Sequence, residues 1–184
     1  AVPATKRVLH SINIRLSAEH LEYIVNHAED DVVFVDRGLL ARIWPSAERL
    51  PRVRHWVVLP DGTDAAIPAD PRILDYDELI AGGEPFAGSF EDNFVLADEN
   101  LASGLCYTSG TTGRRKGVWS GVLADDHARA LAAEEIELWG LGPGDRHLVL
   151  SPLHHSAPLR FAIHTLLAGG EVLLPGPFDV ARAA

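Results

Sequence analysis

The densest chemistry in the sequence lies in Tyr107-Thr108-Ser109-Gly110-Thr111-Thr112-Gly113-Arg114-Arg115-Lys116-Gly117, directly after the apolar run Leu105-Cys106-Tyr107. Four Ser/Thr hydroxyls, three glycines and three cations fall within eleven residues. Glycine admits positive φ and close backbone approach, so consecutive N–H groups can converge into an anion nest. The hydroxyls add donors, and Lys116 adds a point charge. A phosphate chain is the ligand class this suits. The order is not that of a Walker A loop, because Lys116 precedes Gly117, and no G-x-G-x-x-G fingerprint is present. Composition alone leaves open a solvated polar loop with a basic tip.

A second constellation is His154-His155, which follows the apolar stretch Leu148-Val149-Leu150. That is the carboxyl end of a strand, where open α/β sheets hold their ligands. No acidic residue stands between Ser151 and Phe161, so nothing there would pair a desolvated ammonium. An HHxxxDG acyltransferase motif is disfavoured, because Leu159-Arg160 occupy the Asp-Gly positions. A metal site from His154, His155 and His164 has neither a recognised spacing nor a nearby acid. The acidic run Glu134-Glu135-Ile136-Glu137 reads as a solvated helix face, and Asp125-Asp126 suits a helix's first turn.

The loop is similar to the signature of the adenylate-forming superfamily, which includes acyl-CoA synthetases, luciferases and peptide-synthetase adenylation domains. Its usual form is YTSGTTGxPKGV, and ten of the twelve positions from Tyr107 to Val118 agree with it. Arg115 departs, standing where the family commonly has proline. That substitution loosens the preset φ and adds charge. The resemblance continues upstream through Val8-Leu9-His10, Asn13-Ile14-Arg15-Leu16, His27-Ala28-Glu29-Asp30 and Val33-Phe34-Val35-Asp36. Downstream, Ser151-Pro152-Leu153-His154-His155 and Leu166-Leu167-Ala168-Gly169-Gly170 resemble the family's P-L-x-H and Ala-Gly-Gly block.

The resemblance implies a ligase in which an acid's carboxylate attacks the α-phosphorus of ATP, giving an acyl-adenylate and pyrophosphate, and a CoA thiol then displaces AMP. It implies ATP, Mg²⁺ and CoA as partners, together with a small-molecule carboxylic acid, expected to be fatty. On that reading Thr108, Ser109, Thr111, Thr112 and Lys116 hold the β/γ-phosphates, Gly110 and Gly113 shape the nest, and His155 borders the acyl carboxylate. Lys116 and His155 are the expected catalytic residues. Adenylation domains with another acceptor, or a non-catalytic phosphate-binding module, remain as alternatives.

Those residues need strands to carry them, and the rest of the chain reads as alternating helix and strand. Leu21, Ile24, Val25 and Ala28 fall at helical spacing behind Ser17, a candidate N-cap, and Val32 to Val35 form a short β-branched strand. Leu39 to Leu50 reads as a helix interrupted near Pro45, and Trp56 to Leu59 as a second strand. Residues 61–100 are rich in Pro, Gly and Asp and read as a long connection holding one short helix at Tyr76 to Ile80. A long helix is expected within Leu123 to Trp139. Strand Leu148 to Leu150, a helix with Leu159, Ile163, Leu166 and Leu167 on one face, and strand Val172 to Leu174 predict a parallel βαβ unit. The fold class expected is α/β, with mixed or parallel sheets flanked by helices, as part of the large N-terminal domain of an acyl-adenylate-forming ligase.

Composition agrees with a globular domain: of 184 residues, 47% are hydrophobic and 23% charged. Sixteen Lys and Arg against 26 Asp and Glu give a net charge of −10, which disfavours broad binding to nucleic acid or anionic membrane. The basic cluster at Arg114 to Lys116 is thus a local exception. Cys106 is the single cysteine, so a cytoplasmic setting is expected. No run approaches the ~20 apolar residues of a membrane span. The chain starts with Ala, has no Met and stops in Ala181-Arg182-Ala183-Ala184, so a partial domain over 1–184 is expected, without the C-terminal catalytic subdomain and inactive by itself.

Overall fold

The computed structural model describes residues 2, 5–83, 102–108, 115–121 and 124–175. The chain divides into two compact units, one made of Asn13–Asn93 with Tyr107–Gly117, the other of Ala1–Ile12, Phe94–Cys106 and Val118–Ala184.

In the first unit, helix α1 (Ala18–Ala28) begins where Ser17, in extended conformation, accepts the His20 N–H. It buries Leu21, Ile24 and Val25, the i, i+3, i+4 stripe expected of a helix lying on a core. Glu29 closes it in the left-handed region with φ 57°. Strand β2 (Val32–Asp36) pairs in parallel with β3 (His55–Leu59) from Val32↔His55 to Asp36↔Leu59, and β3 pairs in parallel with β4 (Ile73–Asp75). The central strand β3 buries Trp56, Val57 and Val58 in succession, as a parallel strand covered on both faces does. Helix α2 (Arg37–Ile43) gives way to a 3₁₀ segment, Trp44–Arg49, at the expected interruption by Pro45. Leu40, Ile43, Ala47, Leu50 and Val53 are buried, and Trp44 meets Trp56 edge to face at 5.6 Å.

Strand β4 lies inside the stretch read from sequence as a connection holding only a helix. Three residues show no period, and what makes Ile73–Asp75 a strand is pairing with β3 from Trp56↔Ile73 to Val58↔Asp75, entered through a turn in which Asp70 accepts the Arg72 N–H at 2.9 Å. The expected short helix follows as α3 (Tyr76–Ala81), capped by Asp75, which accepts the N–H groups of Asp77 and Glu78. Residues 84–100 lie outside the described residues.

Strand β1 (Leu9–His10) pairs in parallel with β5 (Ala102–Thr108), and β6 (Lys116–Gly121) completes the order β1-β5-β6. Ser103 Oγ donates to the carbonyls of Ser120 and Gly121 at 3.2 and 3.1 Å, tying β5 to β6. Helix α4 (Asp125–Trp139) ends at Gly140 with φ 65°. The βαβ expectation is met: β7 (Arg146–Leu148) and β8 (Glu171–Leu173) pair in parallel around helix α5 (Ser156–Leu167). Both strands begin earlier than the apolar residues suggested. Their first rung is Arg146↔Glu171, joined by an ion pair of 2.7 Å, which apolar counting cannot detect. The parallel pairings and flanking helices agree with the expected α/β class.

Helix α5 buries Ala162 and Thr165, whereas Ile163, Leu166 and Leu167 are exposed. One expectation about a helix face is corrected: Glu135 is not on a solvated face, being 8% exposed and paired with Arg160 and His164. No helix among the described residues is long and apolar enough to cross a membrane.

Candidate functional site

In the first unit, β5 ends at Thr108 and β6 begins at Lys116, so the strands deliver a hydroxyl and an ammonium to the two ends of residues 109–114. Ser109, Gly110, Thr111, Thr112 and Gly113, the other expected phosphate-binding residues, lie outside the described residues. Thr108 and Lys116 are exposed. They are also adjacent, because Thr108 Oγ1 donates to the Lys116 carbonyl at 3.5 Å, the outer limit for such a bond. The contact is to the Lys116 backbone; a hydroxyl and an ammonium are each of a type that suits phosphate oxygens.

Beneath these residues lies one face of α1. His27 Nδ1 is 2.6 Å from the Tyr107 hydroxyl, which donates or accepts according to the imidazole tautomer. Tyr23 O–H donates to the Arg115 carbonyl at 3.4 Å. The Tyr23 and His27 rings lie 5.4 Å apart, and His27 meets Tyr107 edge-on at 5.8 Å. Burial, and then the neighbouring Tyr23 and Asp30, push the Tyr107 phenol above its ordinary pKa, so it stays protonated as a hydrogen-bonding group at neutral pH. The sequence held one signal for this arrangement: two polar aromatics four apart on a helix whose buried stripe runs elsewhere.

His155 belongs to the second unit. It is the N-cap residue of α5, exposed and extended, and its side chain makes no capping bond. Its ring lies 4.3 Å from that of His154, whose carbonyl is 4.0 Å from Cys106 Sγ. An exposed imidazole at the start of a 12-residue helix is placed to meet an anionic group, since the helix's own N–H groups point the same way. The structure therefore brings Thr108 and Lys116 together in one unit and holds His155 in the other.

His164 has a structural setting instead. Its Nδ1 lies 2.7 Å from Glu135, while Arg160 pairs with the same carboxylate. Burial first and Arg160 second lower its pKa. Because Arg160 already neutralises Glu135, the imidazole can donate an N–H without carrying charge. Among the described residues no three His, Cys, Asp or Glu form a group that could hold a metal ion.

Residues 1–184 match the AMP-binding enzyme family. The chain is 36% identical over 174 residues to a 3-methylmercaptopropionyl-CoA ligase of Ruegeria lacuscaerulensis, covering 92% of this chain and 30% of that protein. It is 34% identical over 180 residues to a medium-chain-fatty-acid–CoA ligase of Ectopseudomonas oleovorans, covering 96% and 31%. The chain thus spans about 30% of the length of the curated relatives it matches. In fold it is similar to apo MatB from Rhodopseudomonas palustris, with a TM-score of 0.68 and 23% identity over all of this chain and 33% of that one. A natural red-emitting luciferase from Phrixothrix hirtus gives a TM-score of 0.75 at 15% identity, over 96% of this chain and 33% of that one.

Proposed function

The chain belongs to the AMP-binding enzyme family, and from that premise we propose that it is part of an ATP-dependent acyl-CoA ligase acting on a carboxylic acid without an α-amine. The observation that carries the site is the juxtaposition of exposed Thr108 and Lys116 at the two ends of residues 109–114. Support for the reaction class comes from relatives named as CoA ligases.

The acid's carboxylate oxygen attacks the α-phosphorus of ATP, the bond to the β-phosphate bridging oxygen breaks, and pyrophosphate leaves with that electron pair. The thiolate of CoA then attacks the acyl carbon and AMP departs. Little covalent chemistry falls to the protein, so catalysis is positioning and charge neutralisation. Lys116 places a cation against the β/γ-phosphates, where negative charge accumulates on the leaving pyrophosphate. Thr108, with Ser109, Thr111 and Thr112, supplies hydroxyl donors, and Gly110 and Gly113 allow the backbone to approach. Mg²⁺, when bound with the triphosphate, would supply further neutralisation of its charge beside that of Lys116. His155 donates to the acid's carboxylate and orients it. The absence of an acidic residue from Ser151 to Phe161 favours a fatty acid over an amino acid, and the single cysteine fits a cytoplasmic setting.

The test is acid-dependent exchange between ATP and pyrophosphate by the full-length protein, run across aliphatic acids and amino acids. Exchange with aliphatic acids alone supports the reading; exchange confined to amino acids overturns it. Residues 1–184 alone are expected to form no acyl-CoA, and ATP- and acid-dependent pyrophosphate release by that piece would overturn this expectation.

A further inference from the structure

The geometry points to Tyr23 and His27 as positioning residues that, from one face of α1, fix where Thr108 and Lys116 stand. The inference rests on the proposed phosphate-binding role of those two residues. Tyr23 and His27 are four apart and therefore share a helix face. Each touches a neighbour of one expected phosphate ligand: His27 bonds Tyr107, which precedes Thr108, and Tyr23 bonds the carbonyl of Arg115, which precedes Lys116. The Tyr23 and His27 rings lie 5.4 Å apart on that face. Helix α1 is itself anchored by Leu21, Ile24 and Val25, of which Ile24 and Val25 are 1% exposed. A packed helix thus contacts Tyr107 and Arg115, the chain neighbours of Thr108 and Lys116.

The need for such a hold follows from Arg115. Proline at that position would restrain φ through its ring; arginine does not, so a contact from outside the backbone adds restraint that the residue itself lacks. A carbonyl and a hydroxyl tethered to a packed helix supply it. Holding the ligands in place before binding removes part of the ordering cost that ATP would otherwise meet. One solvent-accessible hydrogen bond of this kind contributes modestly, so loss of the His27–Tyr107 bond should weaken ATP about threefold to tenfold.

The test uses the full-length protein and two readouts, amide hydrogen exchange at Thr108, Lys116 and Gly117 without nucleotide, and KM and kcat for ATP. His27→Phe keeps the ring and loses Nδ1; His27→Asn loses the ring and keeps a polar atom near the Nδ1 position. Expected are faster exchange and a raised KM for ATP in His27→Phe, with values near the parent's in His27→Asn. Tyr107→Phe removes the same bond from the other side and should match His27→Phe, with no further loss in the double variant. Arg115→Pro should reduce the effect of Tyr23→Phe. Parent-like exchange or KM in both His27→Phe and Tyr107→Phe overturns the proposal, as does His27→Asn behaving as badly as His27→Phe, which would mean space-filling. Lys116→Ala separates the two readings: if it raises KM while the α1 variants do not, only the positioning role fails. If Lys116→Ala has no effect either, the phosphate-binding role fails and takes the positioning role with it.

Discussion

His164 Nδ1 lies 2.7 Å from a carboxylate oxygen of Glu135, so that an acid on α4 is held by α5 one turn from where Arg160 grips the same group. Removing the acid leaves a nearly buried imidazole N–H without its acceptor, while Arg160, 57% exposed, can rehydrate. Glu135→Ala should therefore cost about 1–3 kcal/mol, between the values for an exposed and a fully buried pair. Glu135→Gln, which keeps an acceptor, should cost less. Urea unfolding checks both, and equal losses in the two variants would show that the hydrogen bond is not what matters.

The same triad predicts a pH dependence. His164 has a folded pKa below its ordinary value, so over that interval the unfolded chain binds a proton that the fold refuses. Stability then rises with pH through the window, is fully present above about 6.5, and is lost as pH falls toward the folded pKa. His164→Asn, which keeps an N–H for Glu135, should flatten the change in urea midpoint between about pH 7.5 and 5.5. An unchanged slope would remove His164 from the account.

Gly170 sits where a side chain has no room. A Cβ there would lie 2.9 Å from the Asp145 carbonyl oxygen, 2.9 Å from Thr165 Cγ2 and 3.1 Å from the Gly142 carbonyl oxygen. Backbone cannot retreat as a flexible side chain can, so Gly170→Ala should destabilise by about 1–3 kcal/mol. Gly142, with open space around its Cβ position, is the control, and Gly142→Ala should fall within about 0.5 kcal/mol of the parent. Comparable thermal midpoints for the two variants would contradict the packing argument.

Trp56 is fully buried at the centre of the first unit, and its indole N–H has no acceptor among the described residues. Trp56→Ala should cost about 3–5 kcal/mol through the cavity it opens. Trp56→Phe removes volume and also a desolvated donor, so the two effects oppose and the loss should be nearer 1 kcal/mol. A loss in Trp56→Phe as large as in Trp56→Ala, by urea denaturation, would show that the N–H has a partner.

Legibility followed the range of the interaction. Helix α1 could be read because Ser17, Leu21, Ile24 and Val25 are local in sequence, and the parallel βαβ unit because its apolar runs have the right spacing. The burial on α5 could not: Leu159, Ile163, Leu166 and Leu167 have helical period, yet Ala162 and Thr165 are the buried residues, and the partner of Arg160 is Glu135, 25 positions away. The proposal for Thr108 and Lys116 comes from residue order alone, whereas the contact of His27 to Tyr107 could not be read, because it spans 80 positions.

Lys116 and His155 occupy different units and should fail in different ways. Lys116 is exposed at the start of β6, so Lys116→Ala deletes a charge without opening a cavity; in the full-length protein it should raise KM for ATP and lower kcat by about tenfold or more. Lys116→Arg keeps the charge with a different donor geometry and should recover only part of this. His155 makes no capping bond to α5, so His155→Ala should leave the unfolding midpoint within about 0.5 kcal/mol of the parent. Its effect should fall on the acid instead, raising that KM while KM for ATP stays near the parent value. A shared loss on ATP in both variants, read from initial-rate kinetics with each substrate varied in turn, would mean that His155 acts on the nucleotide and not on the carboxylate.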